Sequence, residues 1–317
     1  VGAGPAGLAC AHRAARLGHA VTVFEARPKP GGLNEYGLAA YKTTDDFAQR
    51  EIAWLLSIGG IEVRHGEVLG ETVALADLTH RYDAVFLGIG LGGVNALGLH
   101  GESARGVANA VDFIAGLRQA DDLAALPIGR RVVVIGGGMT AIDAAVQSRK
   151  LGAQEVTIVY RRHQARMPAS RDEQDWARLN GVAIREWSVP RALEVDSGGV
   201  ASVSFAEVAD RGGQLEATGR HWSIEADTVL KAIGQTLLVA DPRLATVALR
   251  EGRIAVDPEG RTSLAKVWAG GDCCWGGQDL TVQAVAHGQR AALSIHHALG
   301  HELPSTPAGP ARPMARV

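Results

Sequence analysis

Short unbroken apolar runs, not alternating ones, dominate this chain. Residues 20–24, 84–87, 132–135, 156–160 and 228–233 have this form. A strand covered on both faces has no polar side, so such runs predict the buried strands of a parallel sheet. Helical spacing appears at 8–17, 45–58, 110–118, 141–151 and 280–299, and the stripe Phe47, Ile52, Leu55 and Leu56 predicts the buried face of the second of these. Ser170 predicts the cap of a helix over 171–179. Residues 61–64 and 253–256 read as short strands. Residues 182–186, 191–195 and 201–208 read as a meander joined through Gly198, Gly199, Gly212 and Gly213. A last strand, 267–272, ends in Gly270, Gly271 and Asp272. Beyond Gly300 the proline-rich tail, 302–317, is expected to be disordered. Strands that alternate with helices in this way predict an α/β fold.

Two of the strand–helix junctions carry chemistry. Gly2, Gly4 and Gly7 form a G-x-G-x-x-G turn ahead of the helix 8–17, and the following strand closes on Glu25. Gly2 allows the tight turn, Gly4 lets backbone approach a pyrophosphate, and Gly7 lets helix and strand pack closely. The phosphates then face the helix's unpaired N–H groups and positive end. Glu25 stands where a carboxylate accepts bonds from ribose hydroxyls. A glycine turn before a packing helix is the bland alternative, and the acid at the right distance weighs against it. Gly31 and Gly32 make a second close-approach loop, expected under the same dinucleotide.

The pattern then repeats. Residues 132–135, the turn Gly136, Gly137, Gly138, Met139 and Thr140, the helix 141–151 and the strand 156–160 form a second βαβ unit. Two such units predict two dinucleotides. Where the first copy has Glu25, the second has Tyr160, Arg161 and Arg162, with Arg166 nearby. A carboxylate there would repel a 2′-phosphate, whereas guanidinium groups bind one through paired bonds. The first unit is therefore read as an FAD site and the second as an NADPH site, with NADH possible. A solvated basic edge is the competing reading of the arginines. Asp272 is placed to bond a flavin's ribityl chain, with helix capping as its alternative. The helix start near Thr281 would face the flavin's N1/O2 edge and favour negative charge there.

Composition then excludes several functions. The chain has 317 residues, a net charge of −2, 46% apolar residues and 40 glycines. It carries no global field for nucleic acid or an acidic membrane, and no apolar run long enough to span a bilayer. Cys10, Cys273 and Cys274 cannot form a disulfide framework, which favours a reducing, cytoplasmic setting. They include no Cys-x-x-Cys for thiol relay and no four-cysteine set for an iron–sulfur cluster. Adjacent Cys273 and Cys274 make a strained pair, so packing is the reading preferred. The histidines have no metal-ligand spacing, and Asp143 is read either as a contact to the other domain or as a residue that bonds backbone, with no catalytic role. No side chain is assigned as a catalytic acid or base, and no metal site is expected. With only Val1 ahead of Gly2, the chain is expected to begin inside its first strand, with an upstream segment missing.

Two dinucleotide motifs, a glycine-rich crossover at Gly88 and Gly90, and the late Gly270-Gly271-Asp272 together resemble the glutathione and thioredoxin reductase class. Residues 25–42, with Tyr160-Arg161-Arg162 and Arg166-Met167-Pro168, resemble the NAD(P)H:FAD electron-entry module shared by dihydropyrimidine dehydrogenase and the glutamate synthase small subunit. That resemblance implies two Rossmann-like domains, the NAD(P)H domain (97–234) inserted in the FAD domain (1–96 and 235–301). It also implies FAD contacts from Gly2, Ala3, Gly4, Pro5 and Ala6, from Glu25 through Gly31, Gly32 and Leu33, and from Lys42, Gly270, Gly271 and Asp272. NADPH contacts are implied for Gly137, Gly138, Met139, Thr140, Arg161, Arg162 and Arg166, with Ala232, Ile233 and Gly234 on the nicotinamide side. Relatives carry arginine at Lys42. The family's iron–sulfur clusters lie outside this chain, in the missing segment or a partner subunit, so a hetero-oligomer is implied. Reduction of uracil or thymine is the implied outcome. Glutamate formation and a redox sensor that never turns over are the alternatives.

Overall fold

The computed structural model describes residues 1–302, so all but the first residue of the 302–317 tail lies outside the described residues. The chain divides into two compact units: Val1–Pro28, Trp54–Ile89 and the segment from Val239 form the first, and Lys29–Ala53 with Gly90–Leu238 forms the second.

The first unit opens on α1 (Pro5–Arg16), which leads into β1 (Val21–Glu25). Val1 and Gly2 bond on both sides like a strand: Gly2 N–H donates to Phe24 O at 2.8 Å, and Gly88 N–H donates to Val1 O at 2.9 Å. The next segment leaves for the second unit. It holds α2 (Leu33–Tyr36) and most of α3 (Phe47–Leu56). The expected stripe on α3 is corrected here: Ile52 is buried, but Phe47 is 54% exposed and Leu55 and Leu56 are half-buried. Back in the first unit, β2 (Ile61–His65) pairs parallel with β1, and α4 (Leu75–Arg81) precedes β3 (Val85–Leu87).

The second unit resumes with β4 (Gly93–Val94), β5 (Val107–Asn109) and α5 (Ala110–Gln119). Next come β6 (Arg131–Gly136), α6 (Met139–Lys150), β7 (Glu155–Val159), α7 (Arg171–Leu179) and β8 (Val182–Arg185). Ser170 caps α7 in a reciprocal box with Glu173, as the sequence predicts. A three-stranded meander follows, β9 (Ser188–Asp196), β10 (Gly199–Arg211) and β11 (Gln214–Glu225), before β12 (Thr228–Ala232) and β13 (Gln235–Thr236). The parallel sheet runs β5-β12-β6-β7-β8 and the antiparallel one β11-β10-β9. Two expectations are corrected. Residues 182–185 close the parallel sheet and do not join the meander, and the meander's third strand, β11, has no apolar run to announce it.

The unbroken apolar run of β6 now has its reason. Val132 and Val134 pack with Ile142, Ala145 and Val146 of α6, while Val133 and Ile135 pack with Leu193, Val203 and Phe205 of the meander. Alternate side chains go to opposite faces, and here both faces are covered.

The chain then returns to the first unit through the hairpin β14 (Leu249–Arg250) and β15 (Arg253–Ile254), β16 (Val267–Ala269) and α8 (Thr281–Ala298). β16 pairs parallel with β3. Ala6, Cys10 and Ala14 of α1 pack with Ala284, Ala291 and Ile295 of α8. The approach is close: a Cβ on Gly288 would lie 2.1 Å from Ala6 O.

Candidate functional site

In the first unit, Gly2 has φ +90, and a Cβ there would fall 2.5 Å from Gly88 O. A Cβ on Gly7 would fall 1.8 Å from Gly2 O. Neither position admits a side chain, so the backbone turns tightly onto the start of α1. Gly4 caps that helix without a side chain, and its first-turn N–H groups point outward. Glu25 is buried at 7% exposure, and its carboxylate accepts from Ala3 N–H at 2.6 Å and Arg27 N–H at 2.8 Å. The acid is thereby tied to the turn it serves.

The end of β16 meets the same turn. Gly271, with φ +81, would press a Cβ to 3.0 Å from Ala6 Cβ. Its N–H donates to His287 Nδ1 at 3.3 Å, and Gly270 N–H donates to Leu87 O at 3.1 Å. His287 packs beside Gly270 and Gly277: a Cβ on Gly270 would lie 2.9 Å from His287 Cβ, and one on Gly277 3.3 Å from its ring. Burial and the neighbouring Arg290 hold this imidazole below its usual range, so it stays neutral and able to accept. Burial, with Asp279 adding to it, raises the Asp272 carboxyl above the usual range, against the pull of Arg253. Cys273 and Cys274 are free and buried, with Sγ atoms 3.9 Å apart. Thr281 opens α8 directly after this loop.

In the second unit the geometry repeats with different chemistry. Gly136, with φ +147, lies where a Cβ would meet Ala232 O at 2.2 Å, and one on Gly137 would meet the Tyr160 ring at 2.5 Å. The glycine turn is thus flanked by the ends of β12 and β7. Gly138 caps α6, whose first residues are Met139 and Thr140. On the β12 side, Asn95 Nδ2–H donates to Ile233 O and Asn95 N–H to Gly234 O, each at 3.1 Å. On the β7 side, the loop over Arg161 and Arg162 folds back. Tyr160 OH donates to Arg166 O at 2.8 Å, and Ala169 N–H donates to Gly137 O at 3.1 Å. Arg166 pairs with Asp210 at 3.3 Å. Arg161 is exposed and Arg162 half-buried, and among the described residues neither pairs with a carboxylate.

Gly31, Gly32, Leu33 and Lys42 belong to the second unit. Gly31 has φ +127, and a Cβ there would press on Glu35 Cβ at 2.9 Å. Lys42 Nζ sits 2.8 Å from Asp143 Oδ1 and 2.9 Å from Glu173 Oε1. Sequence reasoning named Asp143 without a ligand role and missed His287; Asp143 is buried and ion-paired with Lys42. The only signal for Asp143 was its place one turn into the helix after the glycines. A 420 Å³ hollow lies instead at the meander, lined by Trp187, Asp210 and Arg220. At its rim Arg220 pairs with Glu207 at 2.7 Å and Arg166 with Asp210 at 3.3 Å. Among the described residues no group of three or more His, Cys, Asp or Glu could hold a metal ion, and no helix is long and apolar enough to cross a membrane.

The family model for pyridine nucleotide-disulphide oxidoreductases matches residues 1–288. The chain is 37% identical to the glutamate synthase [NADPH] small chain of Escherichia coli, over 93% of this chain and 67% of that one. It is 34% identical to the NADP(+)-dependent formate dehydrogenase subunit beta of Moorella thermoacetica (93% and 43%). With the NAD-dependent dihydropyrimidine dehydrogenase subunit PreT of Salmonella typhimurium the identity is 33% (94% and 67%). The chain thus spans between about two fifths and two thirds of these relatives' lengths. Among solved structures, FprA from Mycobacterium tuberculosis superposes with TM-score 0.78 at 20% identity, covering 95% of this chain and 84% of that one. Thioredoxin reductase from T. acidophilum gives 0.71 at 22% identity, covering 94% and 97%. Both share the fold.

Proposed function

Because this chain belongs to the pyridine nucleotide-disulphide oxidoreductase family, we propose that it is an NAD(P)H-dependent flavoprotein that passes electrons to an iron–sulfur partner subunit. One observation supports this most directly: two glycine turns of like geometry, followed by opposite charge. The first ends on a buried carboxylate, Glu25, and the second on Arg161 and Arg162, cations with no carboxylate partner among the described residues. A ribose with free hydroxyls suits the first, and a 2′-phosphate suits the second.

FAD, when bound, accepts a hydride from the nicotinamide and gives up electrons singly. The chain's part is to hold and orient. Gly2 to Gly7 and the start of α1 would hold the FAD pyrophosphate, Glu25 its ribose, and Asp272 and Thr281 the flavin end, with Gly31, Gly32, Leu33 and Lys42 assigned to the same cofactor. Gly136 to Thr140 would hold the nicotinamide cofactor's pyrophosphate, Arg161, Arg162 and Arg166 its 2′-phosphate, and Ala232 to Gly234 its nicotinamide. No acid or base is required of the protein, because hydride transfer needs ring contact and exclusion of water. Three buried free cysteines suit a reducing compartment such as the cytoplasm.

For the final acceptor, the resemblance to the flavin subunit of bacterial dihydropyrimidine dehydrogenase supports reduction of uracil or thymine. Glutamate synthesis from glutamine and 2-oxoglutarate is the second reading, favoured by the 37% identity to the glutamate synthase small chain. Anaerobic addition of NADPH to the purified yellow protein tests the enzyme reading: the flavin absorbance should bleach. A flavin that stays oxidised overturns that reading in favour of a sensor. Assays of uracil-dependent against glutamine-dependent NAD(P)H oxidation, with each candidate catalytic partner, separate the two acceptors.

A further inference from the structure

We infer that Asp143 is a positioning residue, whose buried carboxylate sets the path of the segment 31–42 by gripping Tyr41 and Lys42. The inference rests on the assignment of that segment to FAD. Between Leu33 and Thr43 there is one four-residue helix, α2, and no strand pairing, so side-chain bonds add to a few local backbone bonds in fixing its path. Three residues of α5 and α6 supply several of them. Arg118 donates to Glu35 O, to Leu38 O at 3.4 Å and to Thr43 Oγ1 at 2.6 Å. Gln147 Oε1 accepts from Ala40 N–H at 3.1 Å. Asp143 Oδ1 accepts from Tyr41 OH at 2.9 Å and from Lys42 Nζ at 2.8 Å, and Lys42 also donates to Glu173 of α7.

Asp143 differs from the other two in being a full negative charge at 2% exposure. A buried carboxylate is tolerated when its partners are close and well directed, and loss of one partner is then costly. Tyr41 and Lys42 both lie in the segment, so the charge and the path of the segment specify each other. Partial burial opposes the charge on Lys42, yet the bonds from Asp143 and Glu173 outweigh it and hold the ammonium above the usual lysine range. Burial, followed by the nearby Asp143, pushes Tyr41 up, so its hydroxyl remains a donor at any physiological pH. Asp143 also lies four residues beyond Met139, one turn along α6 from the glycine turn. One helix therefore carries both the phosphate-binding turn and the grip on the segment. A structural anchor alone would affect stability, whereas a positioning residue changes FAD affinity through Lys42.

The test reconstitutes apoprotein with FAD and reads affinity from the quenching of flavin fluorescence. Asp143→Asn keeps the shape and removes the charge. It should weaken FAD about tenfold while NADPH affinity stays within about twofold. Lys42→Met should weaken FAD equally, and the double variant should add little, the signature of one coupled pair. Lys42→Arg should recover most of the affinity. Gly31→Ala, strained by its φ of +127, reports on the segment independently of Asp143. If Gly31→Ala weakens FAD and Asp143→Asn does not, the inference is overturned and the flavin assignment stands. If neither weakens it, the assignment itself fails. Should Asp143→Asn not fold, Tyr41→Phe, which removes the other donor to the carboxylate and leaves Lys42 in place, carries the same outcomes.

Discussion

Glu25 and Arg161 stand at equivalent strand ends, and their surroundings explain why one is fixed and the other is not. Glu25 spends two lone pairs on backbone N–H groups of its own turn, which orient it before any ligand arrives. Arg161 and Arg162 have no carboxylate to satisfy among the described residues, so their donors remain available to an anion. Charge-assisted bonds of this kind contribute about 1.5–3 kcal/mol each. Replacing both arginines with alanine should therefore weaken NADPH about a hundredfold and NADH only a few-fold, read as the two dissociation constants. Equal weakening would refute the 2′-phosphate assignment. These residues were legible in the sequence because a glycine turn fixes the spacing to the next strand end. Lys42 was reached only through the family resemblance, and the contacts made by Asp143 and His287 were not legible. Their partners lie 101 positions (Lys42 to Asp143) or 16 positions (Gly271 to His287) away, and side-chain grips of that kind leave no period to read.

At the scale of elements, strands with two covered faces announced themselves by unbroken apolar runs, and the most exposed strand did not. β6 and β7 show unbroken apolar runs, whereas β11 is largely exposed and reads as polar loop. α3 misled for a related reason: its apolar residues outnumber its buried ones, so Phe47 and Trp54 remain exposed. Helix contacts make a sharper prediction. Gly288 of α8 faces backbone of α1, and backbone cannot move aside as a side chain can. Gly288→Ala should cost about 1–3 kcal/mol through overpacking. Because the obstructing atom belongs to Ala6, in the glycine turn, FAD affinity should fall as well. Gly116 in the interior of α5 is the control, since a Cβ there meets nothing within 4 Å. Gly116→Ala should stabilise by about 0.5–1 kcal/mol, because alanine loses less backbone entropy in a helix. Thermal melts of the two variants should move in opposite directions, and a Gly288→Ala melt equal to the parent's would contradict the packing argument.

For the whole molecule, one architectural device is used twice, and the difference between the copies lies in the charge after the second strand. The repeat itself was legible. The placement of Lys29–Ala53 with the second unit was not, because it depends on Arg118, Gln147 and Asp143 and on no sequence pattern. A second property of the whole chain is its response to acid. His19 Nε2 lies 2.8 Å from His296 Nδ1, within hydrogen-bond distance, and the His301 ring stacks on His296 at 5.1 Å. Burial first, then His296 and His301, hold His19 below the usual imidazole range. Burial with Arg290 does the same to His287, and burial with Arg16 to His12. In the unfolded chain these imidazoles take up protons near pH 6.5. The folded protein resists that uptake, so the unfolded state binds more protons and gains on acidification. Stability should therefore be complete above about pH 6.5 and decline as the pH falls below it. Asp272 acts in the opposite sense, since its raised folded value favours the native state as it protonates, but that gain belongs to the more acid carboxylate range. The melting temperature should drop between pH 7.5 and pH 5.5, and His19→Asn should flatten that slope by removing the like-charge contact with His296. Melts across this range decide the matter, and an unchanged slope in His19→Asn would place the acid sensitivity outside the His19–His296 pair.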